Sequence, residues 1–189
     1  MFLELKRPFS YLSIRHPDGG VWIINWGIPI VISTFFVIIT YRFGVTVDLF
    51  GASGVIGKIL GFVQNLPGFF IAALAAVATF NSPSIDKKMP GIPPQIDVLY
   101  NGKLTTVDMT RRRFLCVMFA YLTIESFLIT VGSIFLTTYA APLKELIPVA
   151  LQVPVKTTVI FFYIVFFAQM LCVTLWGLFY LGERLHTPD

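Results

Sequence analysis

The chain has 189 residues, of which 56% are apolar and only 13% are charged, and its formal net charge is +4. Soluble globular proteins carry about 25% charged residues, so this composition excludes an ordinary soluble domain. The 19 Phe residues would promote aggregation on a water-facing surface, whereas they are common in lipid. Composition therefore predicts an all-α integral membrane protein, with about one domain's worth of chain.

Four apolar stretches are long enough to cross a hydrocarbon core, which takes roughly 20 helical residues. They are Trp22–Tyr41, about Ile59–Phe80, Phe114–Tyr139 and Thr157–Leu181. The first 20 residues contain several charges, so we expect an uncleaved first span rather than a signal peptide. The predicted regions are an N-terminal interfacial segment (1–20), a first helix pair (21–80), a loop (81–113), a second helix pair (114–181) and a tail (182–189).

Lys and Arg residues near the span ends predict the orientation, because basic residues concentrate in cytoplasmic loops. With a cytoplasmic N-terminus, that side holds Lys6, Arg7, Arg15, Lys87, Lys88, Lys103, Arg111, Arg112, Arg113 and Arg184. The opposite side holds only Arg42, Lys58, Lys144 and Lys156. The bias predicts that both termini and the loop 81–113 are cytoplasmic.

Residues Phe2–Ile14 alternate apolar and polar side chains, which favours a short extended piece at the cytoplasmic interface. Trp22 and Trp26 suit the same interface, and Pro29 is expected to kink the first span.

Helix breakers at 64–68 interrupt the second span, which predicts either one broken helix or an interfacial helix followed by a short span from Leu66. The pairs Gly57/Gly61 and Ala72/Ala76 have the small-xxx-small spacing that lets helices approach closely. We expect this span to be the central packing surface and to support self-association.

The loop 81–113 contains two β-prone runs separated by Asn101-Gly102, the strongest short signal for a β-hairpin. Asp108 or Thr110 is expected to cap the helix that follows. Because a lone hairpin is marginal in water, it should pair with the N-terminal piece or with another protein.

Basic and aromatic side chains make this loop a candidate partner-binding surface. They could contact lipid headgroups or an acidic patch on a cytosolic protein, whereas the bilayer is too close for a nucleic-acid duplex to dock. The candidate residues are Lys87, Lys88, Tyr100, Lys103, Arg111, Arg112 and Arg113.

Glu125 lies near the bilayer midplane, where a charge costs roughly 2.5–3.5 kcal/mol. Three interpretations are open: a hydrogen bond across helices to Gln169 at similar depth, a proton or ion ligand in a water-filled cavity, or burial at an oligomer interface. A stripe of hydroxyl residues on the same span lies on a different side of the helix from Glu125, and such a stripe is typical of helix packing or of a pore lining. It consists of Thr123, Ser126, Thr130, Ser133 and Thr137.

Catalytic and metal-binding signatures are absent from the sequence. Cys116 and Cys172 lie at different depths inside spans, so we expect no disulfide. His16 and His186 are isolated. The sequence therefore predicts a protein that is not an enzyme and that uses no cofactor or metal.

The stretches Met89–Pro94, Asn101-Gly102 and Thr110–Leu115 resemble the KwaA membrane subunits of the bacterial Kiwa anti-phage defence system. The resemblance covers under a third of the chain. It implies a four-span inner-membrane protein that assembles with copies of itself, a cytosolic DNA-binding partner of the KwaB type, and a role in detecting infection. We therefore expect a subunit that anchors and signals to a cytosolic effector. The alternative is a small channel or proton-coupled protein that uses Glu125.

Overall fold

The structure is a computed structural model that describes residues 7–15, 20–42, 48–79, 81, 83–89, 92–100 and 103–184. Four helical segments within these ranges are long and apolar enough to cross a membrane. The helices are α1 (Gly20–Arg42), α2 (Val55–Val63), α3 (Leu66–Thr79), α4 (Pro83–Asp86), α5 (Arg111–Leu146) and α6 (Val149–Phe179). A 3-10 helix (Arg7–Ser13) precedes them, and the strands β1 (Gln95–Tyr100) and β2 (Lys103–Asp108) lie between α4 and α5.

The long apolar helices do not all pack on one another. α1 packs on α6, α6 on α5, and α5 on both α2 and α3. Eleven residues of α5 are buried, compared with three in α3. Within one chain the central position therefore belongs to α5, and not to the second span as expected from its small residues.

The first span buries two polar residues, Asn25 and Ser33, and exposes most of its large apolar side chains. Asn25, Pro29 and Ser33 are its buried residues, whereas Val31 and Phe35 are 68% and 64% exposed. This pattern would be unstable in water and is favourable in lipid, where exposed apolar side chains carry no penalty. Ser33 donates a hydrogen bond of 2.7 Å to the Phe161 carbonyl on α6, which joins the two helices.

The predicted irregularity at Pro29 takes the form of a π turn over Ile23–Gly27. Pro29 has no N–H group, so the carbonyl of Asn25 lacks its usual helical donor. The Ile28 N–H bonds to the Ile23 carbonyl, five residues back. A turn of this kind accommodates the proline without ending the helix.

The second span consists of two helices, α2 and α3, separated at Gln64 and Asn65. The predicted start of its second part at Leu66 is confirmed. α2 begins at Val55, four residues before the predicted start of the span. Gly57 is required by the turn before it, because a Cβ atom there would overlap the Ala52 carbonyl oxygen.

The last two helices extend beyond their predicted limits, α5 past Tyr139 to Leu146 and α6 back from Thr157 to Val149. Pro142 and Pro154, which lie beyond the predicted limits, are both inside their helices. With 1.5 Å per residue, the 36 residues of α5 span about 54 Å, more than the roughly 30 Å hydrocarbon core.

The predicted hairpin is confirmed: β1 and β2 pair antiparallel from Gln95↔Asp108 to Tyr100↔Lys103. The turn residues Asn101 and Gly102 themselves lie outside the described ranges. We call α4, β1 and β2 the polar cap. Thr110, and not Asp108, caps α5, because its side chain accepts a hydrogen bond from the Arg113 N–H.

The N-terminal segment joins the polar cap, but not as the predicted extended piece. Arg7–Ser13 forms a 3-10 helix that packs on α5, and Phe2 to Lys6 lie outside the described residues. Of the described residues of this segment, Arg15 alone pairs with the hairpin, through two backbone hydrogen bonds with Gln95 of 3.0 and 3.2 Å. The alternation of apolar residues was misleading because Tyr11 turns inward to reach α1 and α5.

Candidate functional site

Glu125 and Gln169, the two polar residues predicted at similar depth, lie against each other between α5 and α6. Glu125 is only 4% exposed and Gln169 is fully buried. The Gln169 carboxamide lies 2.9 Å from the Tyr121 hydroxyl. The orientation that satisfies all its neighbours directs its nitrogen to Glu125, with Oε2 3.2 Å away. The structure therefore contains a buried carboxyl whose partners are a carboxamide and a phenol.

The N-terminal 3-10 helix extends this arrangement toward α1. The Tyr11 ring stacks on the Tyr121 ring with centroids 5.0 Å apart, and the Tyr11 hydroxyl donates a 3.1 Å hydrogen bond to Asn25 Oδ1. Burial raises the pKa of the Tyr11 phenol above its ordinary value, so it remains a neutral donor. We call Tyr11, Asn25, Tyr121, Glu125 and Gln169 the polar cluster.

The sequence contained signals for two of the three members of the cluster that were not predicted. Asn25 is a carboxamide inside the first apolar stretch, and Tyr121 precedes Glu125 by four residues, which places both on one helix face. Tyr11 gave no comparable signal, because its position depends on where the 3-10 helix docks.

A cavity of about 220 Å³ adjoins the polar cluster. Glu125 and Tyr121 lie on one side of it, and Phe9, Trp26 and Phe166 contribute apolar walls. Among the described residues no Lys or Arg forms an ion pair with Glu125. A carboxylate here would therefore lack a compensating charge, and a neutral carboxyl fits the surroundings better. Chemically, the Glu125 carboxyl can carry one proton.

The hydroxyl stripe of α5 mostly bonds to its own helix. Thr123, Thr130 and Thr137 each donate to a carbonyl four residues back. Ser133 also bonds to the helix and additionally lies 2.7 Å from the Tyr163 hydroxyl on α6. The two interpretations of this stripe were helix packing and a pore lining. The described contact of Ser133 with α6 fits helix packing.

Arg112 is held by contacts inside the chain. Its guanidinium makes two hydrogen bonds with the Asp86 carboxylate, of 2.6 and 2.9 Å, and donates to the carbonyls of Val77 and Ala78 at the end of α3. These hydrogen bonds hold the pKa of Asp86 below its usual range. Arg112 therefore joins the end of α3 and α4 to α5.

The other predicted loop residues differ in exposure. Arg111 is buried, Arg113 is half-buried, and Lys87 and Lys88 are exposed. The Lys88 ammonium lies 2.7 Å from the Asp108 carboxylate and lowers the pKa of that group. The side chains of Tyr100 and Lys103 lie outside the described part of the structure.

The predicted packing residues of the second span do not form the contact between α3 and α5. Gly61, Ala72 and Ala76 are exposed, whereas Phe70 and Val77 are buried. A close approach of two membrane helices occurs instead at Gly177, where a Cβ atom would meet the Met118 side chain.

The described residues contain no group of three or more His, Cys, Asp or Glu side chains that could hold a metal ion. Cys116 and Cys172 are half-buried free thiols. No protein-family model matches the chain, and neither a curated protein nor a solved structure shows significant similarity to it.

Proposed function

We propose that this chain is a non-enzymatic, multi-pass inner-membrane subunit that binds a cytosolic effector through its polar cap. The single observation that carries the proposal is the hairpin with open edges. Among the described residues, backbone hydrogen bonds hold it at its base, at Arg15–Gln95, Pro94–Met109 and Met89–Met109. Beyond these, the outer edges of both strands have no backbone partner among the described residues. Open strand edges pair readily with another chain.

The polar cluster supplies a connection between this cap and the membrane helices. Arg15, which pairs with the hairpin, lies four residues after Tyr11, which contacts α1 and α5. A shift of the 3-10 helix would therefore move the base of the hairpin. The resemblance to KwaA subunits supports an effector of the KwaB type and a role in anti-phage defence.

The effector proposal is tested by replacing residues 96–107 with a short Gly/Ser linker. We expect the variant to insert into membranes and to lose a co-purifying cytosolic protein identified by mass spectrometry. The matched control carries the same linker inserted between Ile147 and Pro148, at the other end of the helices, and should retain that protein. Equal recovery from both variants would contradict the proposal.

The cytoplasmic location of the cap needs a separate test, because the proposal requires it. Thr105 in β2 and Val149 at the start of α6 are both exposed. In a variant without the two native cysteines, a membrane-impermeant thiol reagent applied outside intact cells should label Val149→Cys and not Thr105→Cys. The opposite labelling would overturn the assignment.

Proton or ion transfer is the second candidate function, and the cavity beside Glu125 favours it. Purified protein in liposomes should then carry a proton flux that Glu125→Gln abolishes. Absence of flux in the parent protein would end this candidate.

Self-association is part of the proposal because Ala72 and Ala76 present a small-residue face on the outside of α3. Ala76→Leu should weaken an oligomer in detergent. Ala52→Leu, also at an exposed alanine but before α2, serves as the control.

A further inference from the structure

An open groove lies at the end of the long apolar helices opposite the polar cap. It has a volume of about 390 Å³ and runs between the last turns of α5 and the first turns of α6, with Phe50 at one side. Most of its lining is apolar, and a groove of this size is typical of small-molecule sites. The charged groups that line it are the ammonium groups of Lys144 and Lys156.

The lining of the groove is apolar at its deeper end and positively charged nearer the end of the helices, which matches the two parts of an amphiphile. Leu136 on α5 and Val159 on α6 line its deeper part. Lys144 lies eight residues after Leu136, about 12 Å nearer the end of the membrane span. Lys156 lies nearly one turn beyond Val159 in the same direction. Both lysines are exposed, and their flexible side chains can extend toward the headgroup layer.

Gln152, the third polar residue that lines the groove, already makes hydrogen bonds within the protein. The Gln152 carboxamide donates to the carbonyls of Lys144 and Ile147, at 3.2 and 3.1 Å, and so closes the turn between the helices. Glu145, the acidic residue next to Lys144, is exposed but does not line the groove. The charge presented to an occupant is therefore positive.

We propose that this groove is a binding site for one anionic phospholipid. The acyl chain occupies the apolar part along Leu136 and Val159, and Lys144 and Lys156 bind the phosphate. The occupant is a lipid rather than a free anion, because most of the groove is apolar and it lies where helices of this length leave the hydrocarbon core. Basic pockets between membrane helices on the cytoplasmic side bind anionic headgroups, and the same charge attraction would act on a phosphate at this end.

The test measures lipid binding to the delipidated full chain by native mass spectrometry, with phosphatidylglycerol and phosphatidylcholine as probes. We expect phosphatidylglycerol to bind at least about tenfold more tightly. The double variant Lys144→Gln/Lys156→Gln should lose this preference, with affinity about thirtyfold lower if each basic residue contributes its usual share. Arg42→Gln/Lys58→Gln removes two charges from the same predicted side without touching the groove, and should keep the preference.

Two further measurements separate the lipid from other occupants. Ala140→Phe fills the groove without changing its charge and should weaken phosphatidylglycerol binding, while inorganic phosphate should not displace the lipid. Equal affinity for the two lipids, unchanged binding by Ala140→Phe, displacement by phosphate, or a change of oligomeric state in place of lipid loss would each overturn the proposal. If the double glutamine variant fails to insert, Lys144→Arg/Lys156→Arg must retain the preference, and its loss there would count equally against the site.

Discussion

The two ends of the α5–α6 pair differ sharply in how they are packed. Every buried residue of α5 lies between Arg111 and Ser133, and no residue from 134 to 146 is buried. In α6 the buried residues begin at Ile160, with none between Val149 and Val159. The end near the polar cap is therefore enclosed by α2, α3 and the 3-10 helix, whereas the distal end has exposed sides.

The difference shows what each end is suited to do. At the enclosed end, polar groups such as Glu125 and Gln169 are tolerated because each finds a partner inside the protein. At the distal end, apolar side chains such as Leu146 and Val149, 79% and 82% exposed, must be covered by lipid or by another protein. The proposed effector contact belongs to the first environment, and the proposed lipid site belongs to the second.

The largest expected effect compares one Phe from each end. Phe114 is fully buried, with its ring 5.2 Å from those of Trp176 and Tyr180, whereas Phe135 is 51% exposed. Phe114→Ala should destabilise the protein by about 3 kcal/mol, the low end for this substitution, because in lipid the transfer term is small. Phe135→Ala should change stability little. Unfolding by a denaturing detergent in mixed micelles measures both, and equal losses would contradict the packing difference.

A smaller effect is expected from the polar cluster. Glu125→Leu leaves Gln169 and Tyr121 without one partner and should cost about 1 kcal/mol, typical of hydrogen bonds inside membranes. Glu125→Gln keeps a hydrogen-bonding group of the same shape and should cost less. The same unfolding measurement separates them. Identical stability of the leucine and glutamine variants would mean that the carboxyl makes no useful hydrogen bond in the folded protein.

The sequence predicted the features that depend on local pattern. The four apolar stretches, the pairing of the two hairpin strands and the break before Leu66 follow from hydropathy and turn chemistry, and the structure has all three. It did not predict the central position of α5 or the docking of Tyr11. Both depend on which helix faces meet, and an apolar helix offers few signals for this because lipid and protein neighbours are equally apolar.

The roles of the loop arginines illustrate the same limit. A basic run beside a span predicts a headgroup or partner contact, and Arg111-Arg112-Arg113 satisfies that pattern. The structure places Arg112 on Asp86 and on the end of α3, because α4 brings a carboxylate 26 residues away to the same point. No spacing rule relates these residues, so only the folded chain reveals the pair.

The smallest expected effect concerns pH, and it sharpens the contrast between the polar cap and the distal end. Hydrogen bonds from Arg112 and Lys88 keep the pKa values of Asp86 and Asp108 below their usual range. Their contribution to cap stability is therefore complete above the ordinary Asp pKa of about 3.9 and is lost as the pH falls through the lowered values. Hydrogen exchange, corrected for its intrinsic pH dependence, should show the cap opening in that acidic range while residues 140–156 stay unchanged. Because Asp86 is exposed and Asp108 is partly exposed, solvent screening should keep the loss modest. Asp86→Asn/Asp108→Asn should remove the pH dependence. If this variant kept the same acid-induced opening, other groups would be responsible.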